Sequence, residues 1–139
     1  MSARTKARKR ALDILYSADL RQISIPESLA SEAERAANEP AREGSWLYAR
    51  EIVDGVVDNR DEIDELIETY SQGWTLARMP IVDRAILRIG VWEILFNDKV
   101  PEGVAISEAV EAATVLSTDD SAGFVNGLLA KIAQTRLSS

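Results

Sequence analysis

Apolar residues recur along most of the chain at intervals of three or four, which is the spacing of amphipathic helices rather than of strands. The first such stripe predicts a helix from about Ser2 to Leu20. Its buried positions are predicted to be Ala7, Ala11, Ile14, Leu15 and Ala18. A second helix is predicted to begin at Pro26 and to reach about residue 37. Residues 38–44 combine proline and glycine with charges, which predicts a linker.

The middle of the chain predicts two more helices and a connector. Ser45 is expected to cap a third helix that runs to about Val57, and a fourth helix ends near Tyr70. The stretch from Trp74 to Met79 is expected to form an irregular or single-turn connector. Acidic residues four apart in the fourth helix are expected to line a solvated face: Asp61 with Glu65, and Asp64 with Glu68.

The fifth predicted helix, from Ile81 to about Phe96, is apolar nearly all round, which is typical of a central, buried helix. Glu93 on this helix is expected to be partly buried, with an arginine as its partner. Two further helices are predicted, and the capping residues of 117–121 precede the last one. The fold prediction is therefore all-α, with about seven helices in two small bundles. We expect one domain over residues 1–139, with an N-terminal subdomain over 1–80 and a C-terminal one over 81–139.

The composition removes several classes of chemistry. The chain has 139 residues and contains neither cysteine nor histidine. Disulfides, thiolate metal sites, a histidine base and the Glu-x-x-His pairs of helical di-metal sites are therefore excluded. We predict no catalytic residue, no metal and no cofactor. Because no apolar run approaches the roughly 20 residues of a membrane span, and no secretory signal begins the chain, we expect a cytoplasmic protein.

The charge distribution points to a polyanion as partner. The net charge is −7, yet the first ten residues hold five basic side chains and no acidic one: Arg4, Lys6, Arg8, Lys9 and Arg10. At helical spacing Arg4 and Arg8 fall beside the apolar stripe and the other three on the opposite side. Like charges four residues apart cost helix stability, and we expect no internal contact to offset this. Nucleic-acid binding and a solvated end that aids solubility both remain open on charge alone.

Two aromatic residues are candidates for stacking on bases. Phe124 lies in the first turn of the last predicted helix, where free N–H groups and the helix dipole favour an anion. Tyr70 lies at the end of the fourth helix, before Gly73. Each ring could stack on an RNA base or be part of the core. The residues alone leave this choice open.

The chain resembles a known family over nearly its whole length. The stretch from Ala7 to Tyr16 is similar to that family's arginine-rich first helix. The segments that carry the most specific resemblance are residues 81–94 (IVDRAILRIGVWEI), Val100-Pro101, residues 104–111 (VAISEAVE) and residues 119–129 (DDSAGFVNGLL). This pattern resembles the NusB family of bacterial transcription antitermination factors. The connector GWTLxRMP resembles the actinobacterial branch, and only about residues 24–43 carry no resemblance.

The resemblance implies an all-helical protein that binds partners and is not an enzyme. The partners it implies are boxA-containing single-stranded RNA, ribosomal protein S10 (NusE) and the elongation complex with other Nus factors, chiefly in ribosomal RNA operons. The five basic residues would contact RNA, together with Tyr70, Asp120 and a stacking Phe124. Tyr16 and Asp83 would face S10. A lysine that the family has before the phenylalanine is Gly123 here, which removes one expected phosphate contact.

Two alternatives to antitermination stay open at this stage. The helical domain resembles the RNA-binding module of ribosomal RNA cytosine methyltransferases, a reading that requires a Rossmann-type catalytic domain after residue 139. A protein adaptor whose acidic helical surface is its working face is the alternative from another class. Binding of short single-stranded RNA separates the adaptor from the other two.

Overall fold

The structure is a computed structural model that describes residues 2–39 and 43–138. These residues form seven α-helices and, among them, no β-strand, so the prediction of an all-α fold with about seven helices is confirmed. The helices are α1 (Ala3–Arg21), α2 (Ile25–Ala37), α3 (Glu43–Asp58), α4 (Arg60–Tyr70), α5 (Ile81–Phe96), α6 (Glu102–Leu116) and α7 (Asp119–Ser138). A 3₁₀ turn, Leu76–Arg78, lies in the connector between α4 and α5, where the sequence predicts a single turn.

The helices group into two compact units, Met1–Asp58 with α1 to α3 and Asn59–Ser139 with α4 to α7. This division falls earlier than residue 80, where the sequence analysis places the subdomain boundary. The physical reason is that α4 packs against α5 and α7. No helix of the described residues is both long enough and apolar enough to cross a membrane.

In the N-terminal unit, α1 packs against both α2 and α3. The apolar stripe predicted for α1 is confirmed, since all five of its residues are buried. Three of the five are alanines, and small side chains let a neighbouring helix come close. The hydroxyl of Ser28 in α2 donates a 2.8 Å hydrogen bond to the carbonyl oxygen of Ile14, which joins α2 to α1.

Serine side chains mark the start of the first two helices. The hydroxyl oxygens of Ser2 and Ser24 accept hydrogen bonds from the backbone N–H three residues later, each at 3.1 Å. This contact satisfies an amide that would otherwise lack a partner at the helix start. The prediction that Ser45 caps the third helix is wrong, because α3 begins at Glu43 and Ser45 is already helical. Residues 40–42 of the predicted linker lie outside the described residues.

In the C-terminal unit, α5 is the central helix, as predicted. Every residue from Ala85 to Ile94 is buried, and α4, α6 and α7 all pack against this helix. Gly90 permits the contact with α7, because a Cβ atom at this position would lie 2.8 Å from Cδ1 of Leu129. Leu129 is itself fully buried, so a larger residue at position 90 would require the Leu129 side chain to shift within the packed core.

A partly buried ion pair joins α5 to α4. Nε and Nη2 of Arg88 donate to the two carboxylate oxygens of Asp64, at 2.9 and 3.2 Å. The side chain of Arg88 is 5% exposed and that of Asp64 22%. Asp64 lines the same open face as its acidic neighbours Asp61, Glu65 and Glu68, as expected, but it is half-buried because it also pairs with Arg88. Glu93 is 1% exposed, and its burial follows the prediction.

Removing the carboxylate of Asp64 should destabilise the protein strongly. Asp64→Ala leaves the buried guanidinium of Arg88 without its bidentate partner, and we expect a loss of about 3 kcal/mol in the free energy of unfolding. Asp61→Ala, on the exposed face of the same helix, is the matched control and should change the stability by less than about 0.5 kcal/mol. Urea unfolding followed by circular dichroism measures both. Equal losses for the two variants would contradict a special role for the pair.

Candidate nucleic-acid interface

Two arginines at the start of α1 lie against an aromatic ring of α3. Cζ of Arg4 is 5.3 Å from the ring centroid of Tyr48, and Cζ of Arg8 is 6.0 Å from it. Both distances lie within the range of cation–π attraction. Arg8 is only 8% exposed, whereas Arg4 is exposed to solvent. The ring therefore holds two guanidinium groups together that would otherwise repel each other.

The other three basic residues of the tip line a groove between α1 and α2. Lys6 and Lys9 are exposed there, whereas Arg10 forms an ion pair with Glu32 of α2, with 3.2 Å between Nη1 and Oε1. The side chains of Arg10 and Glu32 are each 15% exposed. The two sides of the basic helix thus differ, as its spacing predicts: one contacts an aromatic ring and the other a carboxylate.

The expectation that the five charges make no internal contact is wrong for three of them, since Arg4 also lies against the Tyr48 ring. Arg8 is buried beside Tyr48, and Arg10 is paired with Glu32. Both partners lie on other helices, at positions that the local spacing of α1 does not reveal. Arg4, Lys6 and Lys9 keep exposed side chains and are the members of the set that are most accessible to a phosphate.

Asp13 is the second acidic residue, after Glu32, that lines this groove. Burial raises the pKa of Asp13 above its usual value, and the positive charge of Lys9 opposes that rise. The negative charge of Glu32 raises this pKa further. The two acidic residues of the groove therefore repel each other, and the surrounding cations offset that repulsion.

In the C-terminal unit, an aromatic pair lies at the first turn of α7. The rings of Trp74 and Phe124 meet edge to face, with 5.2 Å between their centroids and 84° between their planes. Trp74 is 41% exposed and Phe124 is half-buried. Phe124 is therefore neither a core residue nor a fully exposed ring. An open aromatic surface of this kind can receive a base by stacking.

A tight loop after α4 presents Trp74. The Ser71 hydroxyl donates to the carbonyl oxygen of Trp74 at 2.5 Å and also contacts that of Glu68 at 3.1 Å. Gln72 and Gly73 both adopt the left-handed region, with φ of 58° and 89°. Glycine adopts this conformation without steric cost, which explains the residue at position 73.

The remaining predicted RNA contacts also lie in the C-terminal unit. Asp120 is exposed in the first turn of α7, and Tyr70 is half-buried at the last position of α4. Gly123 is exposed, and a Cβ atom built on it would meet nothing within 4 Å. The absence of the family lysine at this position is therefore not imposed by lack of space.

Asp83 does not lie on the surface where a partner could touch it. It is fully buried, and its Oδ2 accepts a 2.8 Å hydrogen bond from the hydroxyl of Ser121. Its Oδ1 has no hydrogen-bond partner among the described residues. The amide of Ser121 donates to the hydroxyl of Thr118, the capping residue of α7. Asp83 thus fixes the first turn of α7, and the expectation that it faces S10 directly does not fit this geometry.

Tyr16, the other predicted S10 contact, is accessible. It is 37% exposed on α1, and Leu20, one turn later, is 55% exposed. Two apolar side chains at this spacing form an exposed patch on one face of the helix. The position of Tyr16 is therefore compatible with a contact to a protein partner.

Three residues that shape these surfaces are absent from the set predicted from sequence: Tyr48, Trp74 and Glu32. Trp74 carries the strongest sequence signal, since a tryptophan beside glycine in a short connector is unusual for a core residue. The partners of Tyr48 and Glu32 depend on helix packing. Among the described residues, no group of three or more acidic side chains is arranged to hold a metal ion.

Comparison with known proteins shows which family the chain belongs to. The NusB family model matches residues 5–134. The transcription antitermination protein NusB of Leifsonia xyli subsp. xyli is 85% identical over 136 residues, which cover 98% of this chain and 94% of that protein. The chain belongs to the NusB family.

Relatives and solved structures of the NusB family extend this similarity. The NusB protein of Beutenbergia cavernae is 56% identical over 137 residues, covering 95% of this chain and 90% of that protein. NusB of T. maritima matches with a TM-score of 0.81 at 30% identity, covering 96% of this chain and 92% of that one. A crystal structure of NusB and NusE in complex with double-stranded RNA also matches with a TM-score of 0.81, at 29% identity, covering 97% of this chain and 98% of that one.

The contact between Arg8 and Tyr48 should be measurable as a coupling energy. In a double-mutant cycle of Arg8→Leu and Tyr48→Leu, we expect the pair to contribute about 1 kcal/mol beyond the sum of the single effects. Tyr48→Phe keeps the ring face and should retain the coupling. Urea unfolding of the variants provides the free energies. Additive losses would mean that Tyr48 acts by packing alone.

Proposed function

We propose that this protein is a transcription antitermination factor. In this proposal it binds boxA-containing single-stranded RNA together with ribosomal protein S10 (NusE). It acts in the cytoplasm on the elongation complex with other Nus factors, and it supports antitermination in ribosomal RNA operons. It is a binding protein and not an enzyme.

The observation that carries the RNA part of the proposal is the basic start of α1. Five cations lie within ten residues of a chain whose net charge is −7, so a polyanion is attracted to one end only. The ring of Tyr48 holds Arg4 and Arg8 side by side. Arginine side chains held in place lose less conformational freedom when they bind a phosphate.

The aromatic pair supplies a second kind of contact. Trp74 and Phe124 provide a partly exposed ring surface beside the first turn of α7. Stacking on rings tolerates different bases, whereas the charged contacts follow the backbone. We propose that Phe124 and Trp74 stack on bases and that Tyr70 and Asp120 contribute at the edge of this surface.

The proposed role of S10 rests on Tyr16 and on a relative. A structural neighbour at 29% identity is a complex of NusB with NusE and double-stranded RNA. Tyr16 and Leu20 offer an exposed apolar patch for such a partner. Asp83 acts in this proposal through Ser121, by holding the first turn of α7 in place, rather than through direct contact.

The experiment that tests the function is an RNA titration with and without S10. We expect a labelled boxA RNA to bind in fluorescence anisotropy, more tightly with S10 than without it. The logarithm of affinity should fall with the logarithm of salt by about 0.7 for each phosphate contact. An RNA of the same composition with a scrambled boxA is the control. Failure to bind RNA even with S10 present would favour the protein-adaptor alternative.

Removing the ring of Phe124 should weaken RNA binding, although the ring is half-buried. Phe124→Ala should weaken RNA binding by about 1–3 kcal/mol, the value of one stacked base. Its stability loss should remain below the roughly 3–5 kcal/mol of a fully buried phenylalanine, because its ring is partly exposed. Phe124→Trp should retain the affinity.

Val125→Ala is the matched control for Phe124. Val125 is the next residue on α7 and is fully buried, so its truncation should lower the stability and leave the affinity per folded molecule unchanged. Chemical denaturation and RNA titration on the same preparations separate the two effects. A Phe124→Ala variant with wild-type affinity per folded molecule would remove the ring from the proposed site.

A further inference from the structure

A groove of about 700 Å³ runs along α1 beside α2. Its cationic lining residues are Lys6, Lys9, Arg10 and Arg21 from α1 and Arg35 from α2, and its acidic ones are Asp13 and Glu32. Three of the five cations belong to the basic start of the chain. Arg21 and Arg35 lie beyond it, and nothing in the proposed function uses them.

The charge of the groove is opposite to that of the protein. Five positive and two negative side chains line it, although the chain as a whole carries −7. A concave surface with an excess of one charge concentrates counter-ions of the other. The groove therefore favours an anionic ligand.

The lining residues of the groove extend along one face of α1. On α1 the lining positions Lys6, Arg10, Asp13, Ser17 and Arg21 follow one another at intervals of three or four, so they form a single stripe. At 1.5 Å per residue, the stripe from Lys6 to Arg21 is about 22 Å long. Cations lie at both ends of this stripe, and a polyanion backbone can reach both ends whereas a single phosphate group cannot.

Glu32 contacts two of the arginines that line the groove. Its Oε1 lies 3.2 Å from Nη1 of Arg10, and its Oε2 lies 3.2 Å from Nη1 of Arg35. A guanidinium group has five N–H donors, so one bond to Glu32 leaves capacity for a phosphate. The Arg35 side chain is 65% exposed and can turn toward a ligand at little cost.

We infer that the groove between α1 and α2 binds the sugar–phosphate backbone of RNA that continues beyond the segment held at the start of α1. This inference rests on the proposed RNA-binding function and extends its footprint to Arg21 and Arg35. Ser17 and Ser31, which also line the groove, supply hydroxyl groups of the kind that contact phosphate and ribose oxygens. The contacts are to the backbone and carry no sequence preference.

The test compares RNAs of two lengths. A boxA RNA is titrated alone and after extension by an unpaired uridine tract at its 5′ end or its 3′ end, with S10 present and at several salt concentrations. We expect one of the two extensions to increase the affinity of the wild-type protein and to steepen its salt dependence. Each added backbone contact should contribute about 0.7 to the slope.

The decisive variant is Arg21→Ala combined with Arg35→Ala. It should lose about 1.4 units of salt slope on the extended RNA, the value of two single-strand contacts, and should bind the short RNA as the wild type does. Arg50→Ala is the matched control, because Arg50 lies on α3 of the same unit, is 60% exposed and is not part of the groove. It should behave like the wild type on both RNAs.

Glu32→Gln tests the inference from the opposite side. The substitution keeps the shape of the side chain and an acceptor oxygen but removes the charge that repels a phosphate. The variant should therefore bind the extended RNA more tightly than the wild type does. A circular dichroism melt checks that the variant is folded. A purely structural Glu32 would give unchanged or weaker binding, which counts against the inference.

Three results would overturn the inference. The first is that neither extension changes the affinity or the salt slope while the short RNA still binds, which leaves the proposed function intact. The second is an equal effect of Arg50→Ala and of the double variant, which reduces the groove to the general charge of the unit. The third is no binding of either RNA by the wild type, which removes the proposed function as well.

Discussion

A helix that is buried on nearly every side must find partners for its own polar groups, and α5 imposes this constraint on the C-terminal unit. Asp83 and Arg88 both lie inside, at 0% and 4% exposure. Unpaired charges at such depth would cost several kcal/mol each. Arg88 pairs with Asp64 of α4, and one carboxylate oxygen of Asp83 accepts a hydrogen bond from Ser121 of α7. The neighbouring helices are therefore held in position by hydrogen bonds as well as by apolar contact.

This constraint reaches the proposed RNA-binding surface. Because Ser121 is bound to Asp83 and its amide to Thr118, the first turn of α7 has a defined position. Phe124, three residues further on, meets Trp74 from the connector at a defined angle. A ring that is already held in place loses little entropy when a base stacks on it. The buried polar contacts thus prepare an exposed aromatic surface.

The N-terminal unit solves a different problem, which is to hold five positive charges within ten residues. Tyr48 of α3 lies against two of the arginines, and Glu32 of α2 pairs with a third. The repulsion along α1 is thereby reduced on both of its sides, while Lys6 and Lys9 remain exposed. The same contacts that permit the charge cluster also orient it, so stability and ligand binding depend on the same side chains.

Four features could be predicted from the amino-acid sequence alone: the helical class, the buried stripe of α1, the central position of α5 and the basic character of α1. These features follow from periodicity and local charge, which are properties of neighbours along the chain. The start of α3 was misplaced, because the helix already includes Gly44 and Ser45, which local sequence signals assign to a linker and a cap. Family resemblance added the identity of the partners, which periodicity could not supply.

Which charged residues form contacts inside the protein depends on how the helices pack against one another. Asp64 and Asp61 are indistinguishable in local sequence, yet one is paired with a buried arginine and the other is exposed. In the sequence, Asp83 is a carboxylate in the first turn of a helix, where exposure is expected. In the structure, it is buried and accepts a hydrogen bond from Ser121. Arg8 contacts Tyr48, 40 residues away along the chain, and Arg10 pairs with Glu32, 22 residues away. Such pairings depend on how helices pack, and the spacing within one helix carries no information about its neighbour.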